Sequence, residues 1–273
     1  MNYNDLLLAI KLVEDYQSKR LHCHTHTIST GFEQIEAWGQ KSALLQKHIL
    51  TEAAHLIEKF SAVQATAAEL NKTTSCDFNL FRMIHINEPT HSFLLAHLLN
   101  PNADHGQGHL FLNVFLDMLG IARSSDHEHW TVTPEKGRID IRLKRVHPHS
   151  VVVIENKSNH ARDQGHQLYR YWYQEIYQTI CETHLGKEYI LNPPGNRYQL
   201  IYLTPEHWKI PTDNSLCKPP DWDNDLPAVV PIPPKVLLIQ EFVTDWLKQS
   251  LNKLPPANYR LREYVKQYIE FWT

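Results

Sequence analysis

Two carboxylates and an ammonium stand at spacings suited to phosphate chemistry. Asp140 lies in Gly137-Arg138-Ile139-Asp140-Ile141, and Glu155-Asn156-Lys157 directly follows the run Val151–Ile154. Period two along a strand puts Glu155 and Lys157 on one face and turns Asn156 away. Carboxylates brought together on neighbouring strands repel unless a cation neutralises them. All-oxygen ligation suits Mg2+, which takes one or two carboxylates, keeps several waters and accepts substrate phosphate. An adjacent ammonium offsets phosphate charge and can hold a water. The competing reading is a solvent-facing ion-pair ladder on a sheet, worth about 0–1 kcal/mol. Charge at the end of a buried apolar run is costly without a purpose, which favours the site.

These residues need strands to position them. Trp130–Thr133 alternates with polar residues. Ile139, Ile141 and Leu143 are expected on one face of a second strand, with Arg138, Asp140 and Arg142 on the other. Val151–Ile154 is a continuous β-branched run, as a buried strand requires. The short His147–Ser150 turn makes the second and third strands antiparallel. Asp163–Tyr177 reads as a helix with Leu168, Tyr171, Trp172 and Ile176 on its apolar face. Tyr198–Leu203 is a further strand, and the helix before it allows a right-handed parallel return.

Helical stretches flank this unit. Leu45, Ile49, Ala53, Leu56, Phe60 and Val63 recur at spacings of three and four. His22–Thr27 and Ser29-Thr30-Gly31 look like a loop before that helix, and Asn71–Asp77 like a linker after it. Thr90 is a plausible N-cap for a helix over Ser92–Leu99, and Gly120 stops the one carrying Leu112, Phe115, Leu116 and Leu119. Residues 211–235, rich in Pro, Asp and Asn, predict a long irregular loop. Two closing helices carry Leu238, Phe242, Val243, Trp246 and Leu247, then Leu261, Val265, Tyr268, Ile269 and Trp272.

Composition sets outer bounds. The chain has 273 residues, 42% hydrophobic and 21% charged, so a packed core is expected. Lys and Arg number 27 against 30 Asp and Glu, a net charge of −3, which excludes a strongly basic coat. Locally, residues 135–170 hold eight Lys/Arg against four acids, a patch that suits a polyanion. No apolar run approaches the roughly 18 residues of a membrane span, and the start lacks a signal-peptide pattern. Four scattered cysteines without C-x-x-C point to a reduced, cytoplasmic setting. The cluster His22, Cys23, His24 and His26 could bind Zn2+, but no second ligand pair accompanies it. Tyr169, Tyr173 and Tyr177 share one helix face, for stacking on bases or for packing.

The pattern Asp140…Glu155-Asn156-Lys157 resembles the motif of the PD-(D/E)XK nuclease superfamily. It is especially similar to a bacterial branch with three further motifs. Here these are Glu88-Pro89-Thr90-His91-Ser92, His105-Gly106-Gln107-Gly108 and Asp163-Gln164-Gly165-His166-Gln167-Leu168-Tyr169-Arg170-Tyr171. The resemblance spans about residues 80–205. Gly137-Arg138 stands where the superfamily's name would put Pro, a residue often absent in its members. The resemblance implies that Asp140 and Glu155 ligate Mg2+ or Mn2+, with the Asn156 carbonyl as a third ligand. Lys157 would position the attacking water. Glu88 would be a further ligand or orient a water, or simply favour the helix start. Gln167 would hold Lys157 or the scissile phosphate. Gln164 and Gln167 read equally as solvated or packing residues, His91-Ser92 as capping and packing, the His105–Gly108 motif as a turn needing positive φ, and Arg170 and Tyr171 as a face packed on the sheet.

The expected fold is therefore α/β, a restriction-endonuclease-like αβββαβ core. Its four-stranded mixed sheet is flanked by helices, with helical extensions at both ends. Residues 1–75 would be the N-terminal extension, 76–210 the core, and 211–273 a Pro-rich loop with helices packed on it. The expected function is a Mg2+-dependent nuclease, acting on DNA ahead of RNA. The alternatives are a silent nucleic-acid- or protein-binding module on the same fold, or an RNA-cleaving toxin or effector. A protein partner or homodimer contact through the helical extensions is compatible with both.

Overall fold

The computed structural model describes residues 3–84, 86–123, 129–136, 139–182 and 194–273. Gly137-Arg138 therefore lies outside the described residues. Two compact units divide the chain, Met1–Phe78 and Asn79–Thr273.

The first unit is a single helix, α1, Tyr3–Thr74. The loop expected over His22–Gly31 is helical instead. Its polar residues find partners within the helix, Thr25 Oγ1 donating to the Leu21 carbonyl at 3.0 Å and Thr30 Oγ1 to the His26 carbonyl at 2.9 Å. Such back-bonding removes the competition with the backbone that makes Thr a loop signal. Helix also continues through Asn71–Thr74, so the connection begins at Ser75. A helix turns about 100° per residue, so positions 22 and 26 share a face while position 24 is turned roughly to the opposite side, and the four do not converge on one point. The side chains of Cys23 and His24 lie outside the described residues. Among the described residues, no group of three or more His, Cys, Asp or Glu is placed to hold a metal, and no helix is long and apolar enough to cross a membrane.

The second unit is built on a sheet of five strands, not the four expected, in the order β1-β2-β3-β4-β5. These are β1 (Trp130–Lys136), β2 (Ile139–Arg145), β3 (Ser150–Asn156), β4 (Tyr198–Thr204) and β5 (Lys235–Leu238). β1, β2 and β3 pair antiparallel, and β4 and β5 add parallel. The extra strand, Lys-Val-Leu-Leu, follows prolines and runs into a helix. Four residues are too few to show a period, and pairing with Ile201–Thr204 makes them a strand. The Pro-rich stretch before it is more ordered than expected. It holds the short helix Asp213–Leu216 and a bridge between Cys217 and Val229.

The sheet buries apolar residues on both faces, as a β-branched run such as Val151–Ile154 requires. One face packs Ile141, Leu143, Val152, Ile154, Ile201 and Leu203 under helices from residues 88–119 and 244–272. The other packs Val151, Val153, Tyr198, Leu200 and Tyr202 under the helix that begins at Gln167. Ile139 joins this second cluster, although even spacing predicted it beside Ile141. Pairing of β2 with β3 begins only at Ile141, so the start of β2 is free of the β3 ladder. The helix over Glu88–Leu99 starts earlier than the Thr90 cap predicted. Asn87 caps it, its side chain accepting from the Thr90 N–H at 2.9 Å. The crossover helix runs Gln167–Tyr171, passes through a π-helical turn at Trp172–Tyr177 and is described as far as Glu182.

Candidate active site at the end of the third strand

β3 delivers Glu155 and Lys157 to one pocket. Glu155 is 2% exposed and Lys157 3%, so they are not rungs of a solvent-facing ladder. Lys157 Nζ lies 2.5 Å from Glu155 Oε1. Asn156 points the other way, as period two requires. Its Nδ2 donates to the Glu88 carbonyl at 3.2 Å and to Ser92 Oγ at 3.1 Å, pinning β3 to the helix Glu88–Leu99. Asp140 arrives from β2, where its Oδ2 accepts the Asn156 backbone N–H at 2.6 Å. That bond forms where the β2–β3 ladder has opened, and it ties the two acidic segments together.

Gln167, at the start of the crossover helix, links the group. Its Nε2 donates to Glu155 Oε1 at 2.9 Å and to the Tyr171 hydroxyl at 2.8 Å. Its Oε1 accepts from Lys157 Nζ at 3.4 Å and from the Gln164 N–H at 3.2 Å. Gln164 thus enters through its backbone. Glu88 sits differently from a residue aimed at the pair. Its Oε1 accepts the N–H groups of Asn159 and Ala161, both at 3.1 Å, and so clamps the loop leaving β3.

Sequence reasoning assigned no role to Asp163, and the structure brings it in. Its side chain is 3% exposed and lies 3.7 Å from Lys157 Nζ. Its Oδ1 also accepts from the Tyr202 hydroxyl at 2.9 Å and its Oδ2 from the Thr212 N–H at 2.8 Å. Its position at the head of the Asp163-Gln164-x-x-Gln167 motif was the available signal.

Burial pushes the Glu155 carboxyl up, and the neighbouring Lys157 ammonium only partly opposes that shift. Burial would pull Lys157 down, but the charges of Glu155, Asp163 and Asp140 outweigh it and hold the ammonium protonated. Burial raises the Tyr171 hydroxyl, with the Glu155 charge adding to it. Among the described residues, the pocket therefore gathers three carboxylates around one ammonium and is short of positive charge. Among the described residues, Glu155 Oε2 is buried without a hydrogen-bond partner, a costly state for a carboxylate oxygen. An oxygen-ligated divalent cation fits that donor set and would satisfy the orphaned atom.

Several flanking residues have plainer roles. His91 packs 4.5 Å from Trp272, and its Nδ1 hydrogen-bonds the Tyr268 hydroxyl at 2.9 Å. Burial lowers its pKa to about 4. Gly106 and Gly108 adopt φ of 69° and 52°, so the His105–Gly108 motif is a turn that needs glycine. Arg170 Nη1 donates to the Gly165 carbonyl at 2.8 Å. Tyr173 stacks on Tyr177 and lies 4.4 Å from Trp222, so these rings serve packing. The local basic patch is smaller than its count. Arg145 is buried over the Trp130 ring, and Arg142 forks onto both oxygens of Glu175 at 2.9 Å.

A family model for the PD-(D/E)XK nuclease superfamily matches residues 78–270, extending through the C-terminal helices beyond the span that carries the motifs. No curated protein and no solved structure matches the chain.

Proposed function

This chain belongs to the PD-(D/E)XK nuclease superfamily, and from that premise we propose that it is a Mg2+-dependent nuclease hydrolysing phosphodiester bonds in DNA, with Mn2+ able to replace Mg2+. One observation carries the reading: among the described residues, Glu155 Oε2 is buried and without a partner, in a pocket richer in carboxylates than in cations. Asp140 and Glu155 would hold the ion, with the Asn156 carbonyl as a third oxygen. Glu88 is a further candidate only through the oxygen outside its loop clamp. A divalent ion, when bound, supplies positive charge beside the scissile phosphate.

The chain's own groups do the rest. Lys157, kept protonated by its carboxylate neighbours, donates hydrogen bonds to a phosphate oxygen or to the attacking water. Gln167 fixes Lys157 and Glu155 relative to each other, so neither must reorganise when substrate arrives. Burial strengthens every charge interaction in the pocket. A reduced, cytoplasmic setting suits Cys76, Cys181 and Cys217, which are free thiols.

The test is cleavage of plasmid, single-stranded DNA and RNA with Mg2+, with Mn2+ and in EDTA. Asp140→Asn and Glu155→Gln should each lower the rate by at least about a hundredfold, with an unchanged far-UV spectrum. Full cleavage in EDTA or by Glu155→Gln sinks the proposal. Binding without cleavage under either ion points to a silent binding module. RNA cleavage alone moves the substrate from DNA to RNA.

A further inference from the structure

The helix α1 has nothing within its own unit to cover it, yet it carries a long apolar seam. Every seventh residue from Leu21 to Leu70 is Leu, Ile or Val, Ser42 excepted. Taking these as heptad position d, position a carries Phe32, Ala53, Phe60 and Ala67, interrupted by Thr25, Gly39 and Gln46. The positions turned away (b, c and f) hold Leu44 as their one large apolar residue between 26 and 72. Seam residues stand in the open: Ile49 is 57% exposed, Leu56 64%, Phe60 63% and Val63 66%. An exposed apolar seam of this length, broken across Gly39–Gln46, marks an interaction surface.

The period identifies the occupant. On a straight helix a strict seven-residue repeat drifts about 20° per heptad, roughly 140° over this seam. A flat or globular surface cannot follow that drift. A second helix of the same period can, by winding around the first in a left-handed supercoil. A second α1 supplies matching length and spacing. The seam runs about 75 Å. At roughly 80 Å² per large apolar side chain, two copies would remove about 1,400 Å² from water, within the range of stable dimers.

We infer that the chain self-associates through α1, a second copy's α1 forming a coiled coil with the first along the Leu21–Leu70 seam. This does not depend on the nuclease reading. Gln46 at position a is the seam's largest polar member, beside Thr25 at a and Ser42 at d, and a polar a residue is of the kind that sets register.

Sedimentation equilibrium and light scattering on the full chain test this directly. The wild type should have at least twice the 31.9 kDa chain mass at micromolar concentration. Ile49→Asp combined with Leu56→Asp, both on the seam, should weaken association by at least about a hundredfold. Thr51→Asp combined with Ala54→Asp, both turned away from it, should associate like wild type. Glu155→Gln should also associate like wild type, which separates this proposal from the catalytic one. A monomeric wild type, including one whose α1 amides are protected by its own second unit, overturns the inference. So does a seam variant that associates as tightly as the parent.

Discussion

Replacing Lys157 by Met removes the one ammonium set between Glu155 and Asp163. Both carboxylates are almost fully buried, with side chains 2% and 3% exposed. Breaking a buried pair by deleting one partner costs about 3–5 kcal/mol, because the surviving charge stays in low dielectric. For a unit of this size each kcal/mol lowers the melting temperature by about 2–4 °C, so a fall of roughly 10 °C is expected. The loss should depend on pH. Without the ammonium, the Glu155 carboxyl moves further above the ordinary value of 4.5. A carboxyl raised in the folded state stabilises fully below its unfolded value, and that contribution is lost as pH rises through the folded value. The deficit of Lys157→Met against wild type should therefore be largest above neutrality and shrink toward pH 4.5. Millimolar Mg2+ should restore part of it, since the ion supplies the missing charge. Urea unfolding of both proteins across that range, with Mg2+ and with EDTA, measures each effect. A loss below about 1 kcal/mol that is flat with pH would show that the ammonium does not neutralise confined carboxylates, and the charge argument for the site would fail.

Two further perturbations test the surroundings of the pocket. His91 has its pKa lowered from 6.5 to about 4 by burial, so the unfolded chain binds the extra proton first. Its contribution is present above 6.5 and is lost as pH falls toward 4, a change of about 3 kcal/mol. His91→Gln should flatten that part of the stability profile in urea unfolding, and an unchanged slope would show that the ring is not held neutral. Glu88→Ala should speed amide hydrogen exchange at Asn159 and Ala161 and cost about 1–3 kcal/mol. Glu88→Gln, which keeps an acceptor oxygen, should leave exchange near wild type. Unaltered exchange in Glu88→Ala would refute the loop clamp.

Much of the pocket was legible in the chain because a strand has period two. That period alone separates Glu155 and Lys157 from Asn156, and the β-branched run ahead of them announces a buried strand. Asp140 could be paired with them because a short turn makes β2 and β3 neighbours. For Asp163 the motif position was the one signal, and its approach to Lys157 depends on the path of the loop after β3 and on Tyr202 and Thr212, which are distant in sequence. The fifth strand was hidden for a similar reason: Lys235–Leu238 is a strand only through its pairing with β4. In α1, threonines and histidines suggested a loop, but hydroxyls that bond back to the preceding turn let the helix continue.

The linear order of residues determined the strand faces apart from that of Ile139, the antiparallel β2–β3 pair, the parallel return and the acidic and basic groups at the mouth of β3. These follow from short-range stereochemistry, which each segment expresses by itself. Tertiary structure alone decided that Gln167 joins Glu155 to Lys157, that Asp163 adds a further buried charge, that Glu88 holds the exit loop and that much of the apparent basic patch is spent on internal pairs. Each of these depends on how far apart side chains lie once distant segments pack, and electrostatic energy in a low-dielectric interior changes steeply with that distance.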